Sequence, residues 1–277
     1  MLCNLNDVLV PASQMKSGVG LFNCITLEMA EGIFKAAEKL NVPVIIGTAE
    51  ILLPAASLSN IADIVIRRAK ESPVPVVLHY DHGLTFQKCI EAIKCGYTSI
   101  MYDCSTDAYE ENVKKVSEIV KIAHAVGVSV EAELGHVTDN NAGNLQNPSN
   151  YYTDPAQALD FVKRTNVDAL AIAVGNAHGD YKFPPKLDFN RISEISQAVK
   201  IPLVLHGGSG LTVSDFQEAI RRGITKINIF TDISKAQVKG MQKALDSGIQ
   251  NVFDMIPYEV TEIQKVVEEK MKIFAML

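Results

Sequence analysis

Three histidines stand at the ends of three hydrophobic runs: His82 ends VPVVLHYDHG, His178 ends ALAIAVGNAHG and His206 lies in IPLVLHGGSG. Three imidazoles can hold one divalent ion and leave coordination positions open for a substrate. Nitrogen donors of this kind favour zinc and admit cobalt, manganese or iron. Asp81 directly precedes His82. A carboxylate beside a metal can carry a proton to or from a substrate hydroxyl. Its competing use is as a cap for the helix that starts near Thr85, but Thr85 is itself the better-placed cap. Asp103 and Glu133 end two further apolar runs. They suit two roles equally well, metal ligand or hydrogen-bond partner of the histidines.

Such groups meet only if the ends of their strands gather on one face. Short β-like runs alternate with helical patterns along the chain. The strands read as Gly20 to Ile25, Val42 to Ala49, Val74 to Tyr80, Thr98 to Tyr102, Val128 to Leu134, Ala169 to Val174, Pro202 to Leu205 and Lys226 to Phe230. Helical spacing of apolar residues follows at Leu27 to Leu40, Ile61 to Ala69, Phe86 to Lys94, Glu110 to Ala125, Pro155 to Lys163, Ile192 to Val199, a segment capped by Ser214 and ending near Arg222, and Ile233 to Leu245. Eight β/α units predict a parallel (β/α)8 barrel of the TIM type, against a doubly wound open sheet as the alternative. One domain spanning residues 1–277 is expected, with an extra C-terminal helix from Val260 to Phe274. The stretch from Gly135 to Thr153 is polar, aperiodic and rich in asparagine, the composition of a functional loop.

Barrels carry their active sites at the carboxyl ends of the strands. That rule places His82, His178 and His206 on one rim, with His79 inside strand three on the same face as Asp81. His136 begins the long loop, and His124 falls on a helix surface. Gly207-Gly208-Ser209-Gly210 follows strand seven and Asn228-Ile229-Phe230-Thr231-Asp232 ends strand eight. These two loops are where barrels commonly seat a phosphate, on backbone N–H groups and a helix N-terminus. A phosphate beside a metal suggests a phosphorylated sugar or triose. Lys226, weighed as a Schiff-base lysine, lies two residues below Asn228, too deep for the mouth.

The 277 residues are 47% hydrophobic with a formal net charge of −6. That balance argues against nucleic acid as a partner. No apolar run approaches the roughly 20 residues of a membrane span, and the N-terminus lacks the pattern of a signal peptide. Five cysteines without CxxC spacing read as reduced thiols of a cytoplasmic protein.

The blocks FN at Phe22-Asn23, LHYDHGLTF, GYTSIMYDCS, VEAELG, YTDPAQALDFV, VDALAIAVGNAHGDYKFPPKLDF, IPLVLHGGSG and GITKINIFTD resemble the class II, metal-dependent ketose-bisphosphate aldolases, the fructose- and tagatose-1,6-bisphosphate enzymes among them. The resemblance implies a lyase that splits a ketose (bis)phosphate into dihydroxyacetone phosphate and an aldehyde. It implies that His82, His178 and His206 bind the catalytic zinc and that Asp81 transfers the proton at the C4 hydroxyl. Asp103 and Glu133 then correspond to ligands of an alternate metal position. Asn23, Gly179, Gly207, Gly208, Ser209, Asn228 and Thr231 correspond to the substrate site, with room for a monovalent cation. A homodimer or homotetramer is the expected assembly. Three departures from the family pattern stand out. The loop after VEAELG carries no glutamate. Ala49 stands where a serine is frequent. FDMIPYE lacks the arginine that relatives direct at the second phosphate. These departures point to a substrate other than fructose bisphosphate, or to slow turnover of it. Two alternatives remain open: a related lyase acting on another phosphorylated sugar or sugar acid, and a non-catalytic phosphosugar-binding barrel.

Overall fold

The computed structural model describes residues 1–139, 151–179 and 186–277, and for Thr138, Asp139 and His178 the backbone alone. Eight parallel strands form the ring: β1 Val19–Asn23, β2 Val44–Ala49, β3 Val76–Gly83, β4 Ser99–Tyr102, β5 Ser129–Leu134, β6 Ala169–Ile172, β7 Leu203–Leu205 and β8 Ile224–Ile229. Each pairs with the next, β8 pairs with β1, and the ring closes. The expected (β/α)8 architecture is the observed one. Buried apolar runs such as VIIGTA in β2 make the strands, because both faces are covered.

Among the described residues ten α-helices accompany the strands: α1 Leu5–Gln14, α2 Leu27–Leu40, α3 Leu58–Glu71, α4 Phe86–Lys94, α5 Tyr109–Ala125, α6 Pro155–Thr165, α7 Phe189–Val199, α8 Val213–Arg222, α9 Thr231–Asp246 and α10 Val252–Phe274. Their starts are set by local hydrogen bonds. Thr85 accepts from the Lys88 N–H and begins α4, and Asp154 accepts from Ala156 and Gln157 before Pro155 of α6. The cap of α8 is Thr212, in a capping box with Asp215, and the expected cap Ser214 lies inside the helix. The last helix begins at Val252, eight positions before the expected start. Pro257, the sixth residue of the helix, cannot donate to the Phe253 carbonyl, and Asn251 caps the helix start.

Helix α1 has no counterpart among the sequence expectations. Its apolar residues Leu5, Val8, Leu9 and Ala12 face inward at helical spacing, and a capping box of Asn4 and Asp7 starts it. They pack on Leu21, Ile45, Val77, Met101 and Val204, which point into the barrel. The amino-terminal end of the barrel is thereby filled with side chains. A second, larger core lies between the strands and the outer helices.

One irregularity shapes the opposite end. The pairing of β3 with β4 slips between Tyr80 and Gly83. At the slip His82 has φ 46°, a left-handed conformation that residues with a side chain seldom take. Neighbours on a regular strand point to opposite faces. The bulge removes that alternation and lets consecutive residues, Asp81 and His82, line one cavity.

Candidate active site

The strand ends bring most of the expected residues together. His82 Nε2 and His206 Nδ1 face each other at 2.6 Å. Asp81 joins them in a group whose ligand atoms all lie within 4.8 Å of one another, and His82, Asp103 and Glu133 form a second such group. The Asp81 carboxylate accepts from Asn23 Nδ2 at 2.8 Å and from Asn228 Nδ2 at 3.0 Å, so β1 and β8 hold it from both sides. His82 Nδ1 lies 2.8 Å from Asp103 Oδ2, which turns the other ring nitrogen toward His206. Glu133 Oε1 accepts from the Val137 N–H at 3.0 Å. Its second oxygen is buried and has no hydrogen-bond partner among the described residues. The backbone of His178 pairs with Asp139 in a short parallel ladder, Thr138–Asp139 against Ala177–His178, and its side chain lies outside the described residues.

A buried polar chain supports these groups from below. His206 Nε2 lies 2.9 Å from Glu131 Oε1, and the Lys226 ammonium lies 2.8 Å from Glu131 Oε2 and donates to Asn228 Oδ1 at 2.8 Å. His79 sits beside them with Nδ1 2.7 Å from Ser99 Oγ. Asn176 holds the His206 carbonyl at 3.1 Å. Glu131, Ser99 and Asn176 escaped the sequence reading. A signal existed for the first: in VEAELG, Glu131 and Glu133 are two apart and share a strand face.

Charge is partitioned sharply here. Burial alone would raise the Asp81 carboxyl, but His82, His206, Lys226 and His79 outweigh it and hold the group well below the ordinary carboxylate range. Burial would likewise raise Glu131, yet Lys226 and His206 bring it down to about 2. Glu133 goes the other way, pushed up to about 8 by burial and by the negative charge of Asp103. Burial disfavours a charged His82, but Asp81, Asp103 and Glu133 raise it to about 9, whereas burial and the His82 charge lower His206. The imidazole pair therefore carries one positive charge among carboxylates. Burial, with Lys226 nearby, pushes His79 down to about 3 and keeps it neutral.

This donor set fits a divalent cation. Two converging imidazole nitrogens, each ring backed by a carboxylate, are the donors such ions take. A cation would also satisfy the unpartnered Glu133 oxygen and replace the proton between His82 and His206.

Beside this cluster opens a cavity of about 510 Å3 whose lining includes Asn23, Gly179, Gly207, Ser209, Asn228 and Thr231. Gly208 lies under it, so close to the Asn228 carbonyl and Ile227 that a Cβ would stand 3.0 Å and 2.8 Å from them. Helix α9 starts at Thr231 with no side-chain cap at Phe230, and its N-terminus faces the loop of Ser209, whose hydroxyl accepts from the Asp232 N–H at 3.4 Å. A helix N-terminus with no cap from its own N-cap residue, against a glycine-rich turn, offers N–H groups and a favourable field to an anion. His136 also lines the cavity, and His124 lies on the surface of α5 paired with Asp168 at 2.8 Å.

A parallel barrel with histidines, carboxylates and a glycine-rich turn at its strand ends offers donors suited to a divalent metal beside N–H groups suited to an anion. The family profile described as "Fructose-bisphosphate aldolase class-II" matches residues 3–276, and the chain belongs to that family of metal-dependent aldolases. It is 37% identical over 262 residues to a fructose-bisphosphate aldolase of Staphylococcus epidermidis, covering 93% of this chain and 90% of the relative. It is 36% identical to the fructose-bisphosphate aldolase of Helicobacter pylori, covering 99% and 98% of the two chains. Among solved structures, the YdjI aldolase from Escherichia coli K12 superposes with a TM-score of 0.90 at 34% identity, over 99% of this chain and 97% of that one. The family resemblance drawn from the motifs is thus the family that the comparisons show.

Proposed function

We propose that the protein reversibly cleaves a ketose phosphate into dihydroxyacetone phosphate and an aldehyde, with Asp81 as the proton-transfer residue and His82, His178 and His206 as zinc ligands. One observation carries the reading. A carboxylate fixed between Asn23 and Asn228 stands beside converging imidazoles and next to a cavity that the N-terminus of α9 and a glycine-rich turn border.

The C1 phosphate lies against Gly179, Gly207, Gly208, Ser209 and Thr231, where backbone N–H groups meet its charge. Asn23 and Asn228 orient Asp81, and the surrounding positive groups keep it ionised and ready to accept a proton. Asp81 takes the proton of the C4 hydroxyl. The C4 oxygen becomes the aldehyde carbonyl as the C3–C4 bond breaks, and its electron pair stays on the triose fragment. C3, which bears that pair, then takes up a proton from solvent to give dihydroxyacetone phosphate. His82, His178 and His206 would hold a divalent ion here, which when bound would supply Lewis-acid stabilisation of the charge left on the triose fragment. Asp103 and Glu133 serve as ligands of an alternate metal position. Lys226 is excluded as a Schiff-base nucleophile by its engagement with Glu131 and Asn228 below the mouth.

The reading extends to one barrel domain over residues 1–277, a cytoplasmic location in keeping with five unpaired cysteines, and association into two or four copies. The exposed side chains of Val252 and Phe253 at the start of α10 favour such contacts. A coupled triose-phosphate assay over a panel of ketose phosphates, with zinc and with chelator, tests the proposal. Turnover that chelator abolishes and zinc restores is expected. Binding of dihydroxyacetone phosphate without turnover of any ketose phosphate would make the protein a phosphosugar-binding barrel instead.

A further inference from the structure

The two sides of the mouth differ in chemistry. In the ring, β3 stands opposite β7 and β2 opposite β6. The loops after β7 and β8 carry the anion-binding turn. Across the cavity from β7, the end of β3 contributes Leu84, and the loop after the neighbouring β2, two strands from β8, contributes Ile51 and Leu52. Ile51 is 84% exposed and Leu84 60% exposed, although both are large apolar residues. They are held in place rather than loose: Glu50 Oε2 accepts from the Leu84 N–H and from the Tyr80 hydroxyl, each at 2.6 Å. A carboxylate thus braces an apolar wall. Among the described residues lining the cavity there is no lysine or arginine.

A phosphate needs cationic or N–H partners, and bringing one against an apolar wall braced by a carboxylate costs desolvation and repulsion. Resting on the aldolase reading above, we infer that the preferred substrate is a ketose 1-phosphate whose other end is uncharged, and that Ile51, Leu52 and Leu84 select it. The carbons of the aldehyde portion lie on this wall while the single phosphate occupies the loops after β7 and β8.

Initial rates with fructose 1-phosphate and fructose 1,6-bisphosphate, on zinc-loaded protein, test this. The expected kcat/KM favours the monophosphate by about tenfold or more. A bisphosphate cleaved as well or better overturns the inference and leaves the aldolase reading standing. Release of dihydroxyacetone phosphate from neither substrate, nor from any other member of the ketose phosphate panel, sinks both. The exposed position of Ile51 lets Ile51→Arg be made without disturbing the core. This variant is expected to shift the ratio toward the bisphosphate by about tenfold and to lower kcat/KM for the monophosphate, whose aldehyde carbons lose their apolar contact. An unchanged ratio in Ile51→Arg and in Leu84→Lys would show that this wall does not set specificity.

Discussion

Glu131 accepts from His206 Nε2 at 2.9 Å and thereby aims Nδ1 of the same ring at His82. The carboxylate fixes both the tautomer and the orientation of a ring proposed to bind metal. Glu131→Gln removes the charge that does this. A competition titration with a chromophoric chelator is expected to show zinc affinity lowered by about 10- to 100-fold. Unchanged affinity would limit Glu131 to balancing Lys226.

Asp81→Ala separates proton transfer from metal binding. Cleavage is expected to fall by about 100-fold or more, with the zinc content of the purified protein unchanged. A variant that keeps its rate would remove Asp81 from the mechanism.

The approach of β1 to β3 across β2 leaves no room at Gly47. A Cβ there would stand 2.8 Å from the His79 carbonyl and 2.9 Å from Asn23 Oδ1. Gly47→Ala is expected to cost about 1–3 kcal/mol in urea unfolding. It should also lower kcat, because Asn23 must move and Asp81 loses a partner. Loss of stability without loss of kcat would mean that the strand, not Asn23, gives way.

Glu262 on α10 receives Lys243 at 2.9 Å, Lys265 at 2.7 Å and Lys239 at 3.2 Å. Hydrogen bonds from Lys243 and Lys265 draw its carboxyl from near 4.5 down to about 2. A carboxyl depressed by folding adds stability that is full above its unfolded value, so the contribution is lost as pH falls from about 4.5 toward 2. Glu262→Gln should therefore lower the urea midpoint at pH 7, and the gap to the parent protein should narrow below pH 4.5. A gap that is constant with pH would refute the assignment.

The parts of the fold and site that the chain discloses are those with local signals. Apolar strand runs, Thr85 and Asp154 as caps, and the DHG, LHGGSG and NIFTD blocks all announce themselves within a few residues. Helix α1 was equally legible from the box of Asn4 and Asp7 and the spacing of Leu5, Val8, Leu9 and Ala12, although Pro11 obscures it. The chain does not disclose which polar residues meet across the ring. Glu131 finds His206 at a separation of 75 residues, and Asn228 finds Asp81 at 147. Nor does periodicity disclose the bulge at His82, because a break in register is a property of the pair of strands.

The hydrogen bonds between β8 and β1 join residues 19–22 to residues 226–229. On the ribosome, β1 therefore emerges long before its second neighbour exists. At about 5–20 residues per second, roughly 200 residues of translation leave that apolar edge open for tens of seconds. Every nascent copy passes through a period in which that edge is open to pairing with another polypeptide, the stage at which chaperones act on such chains.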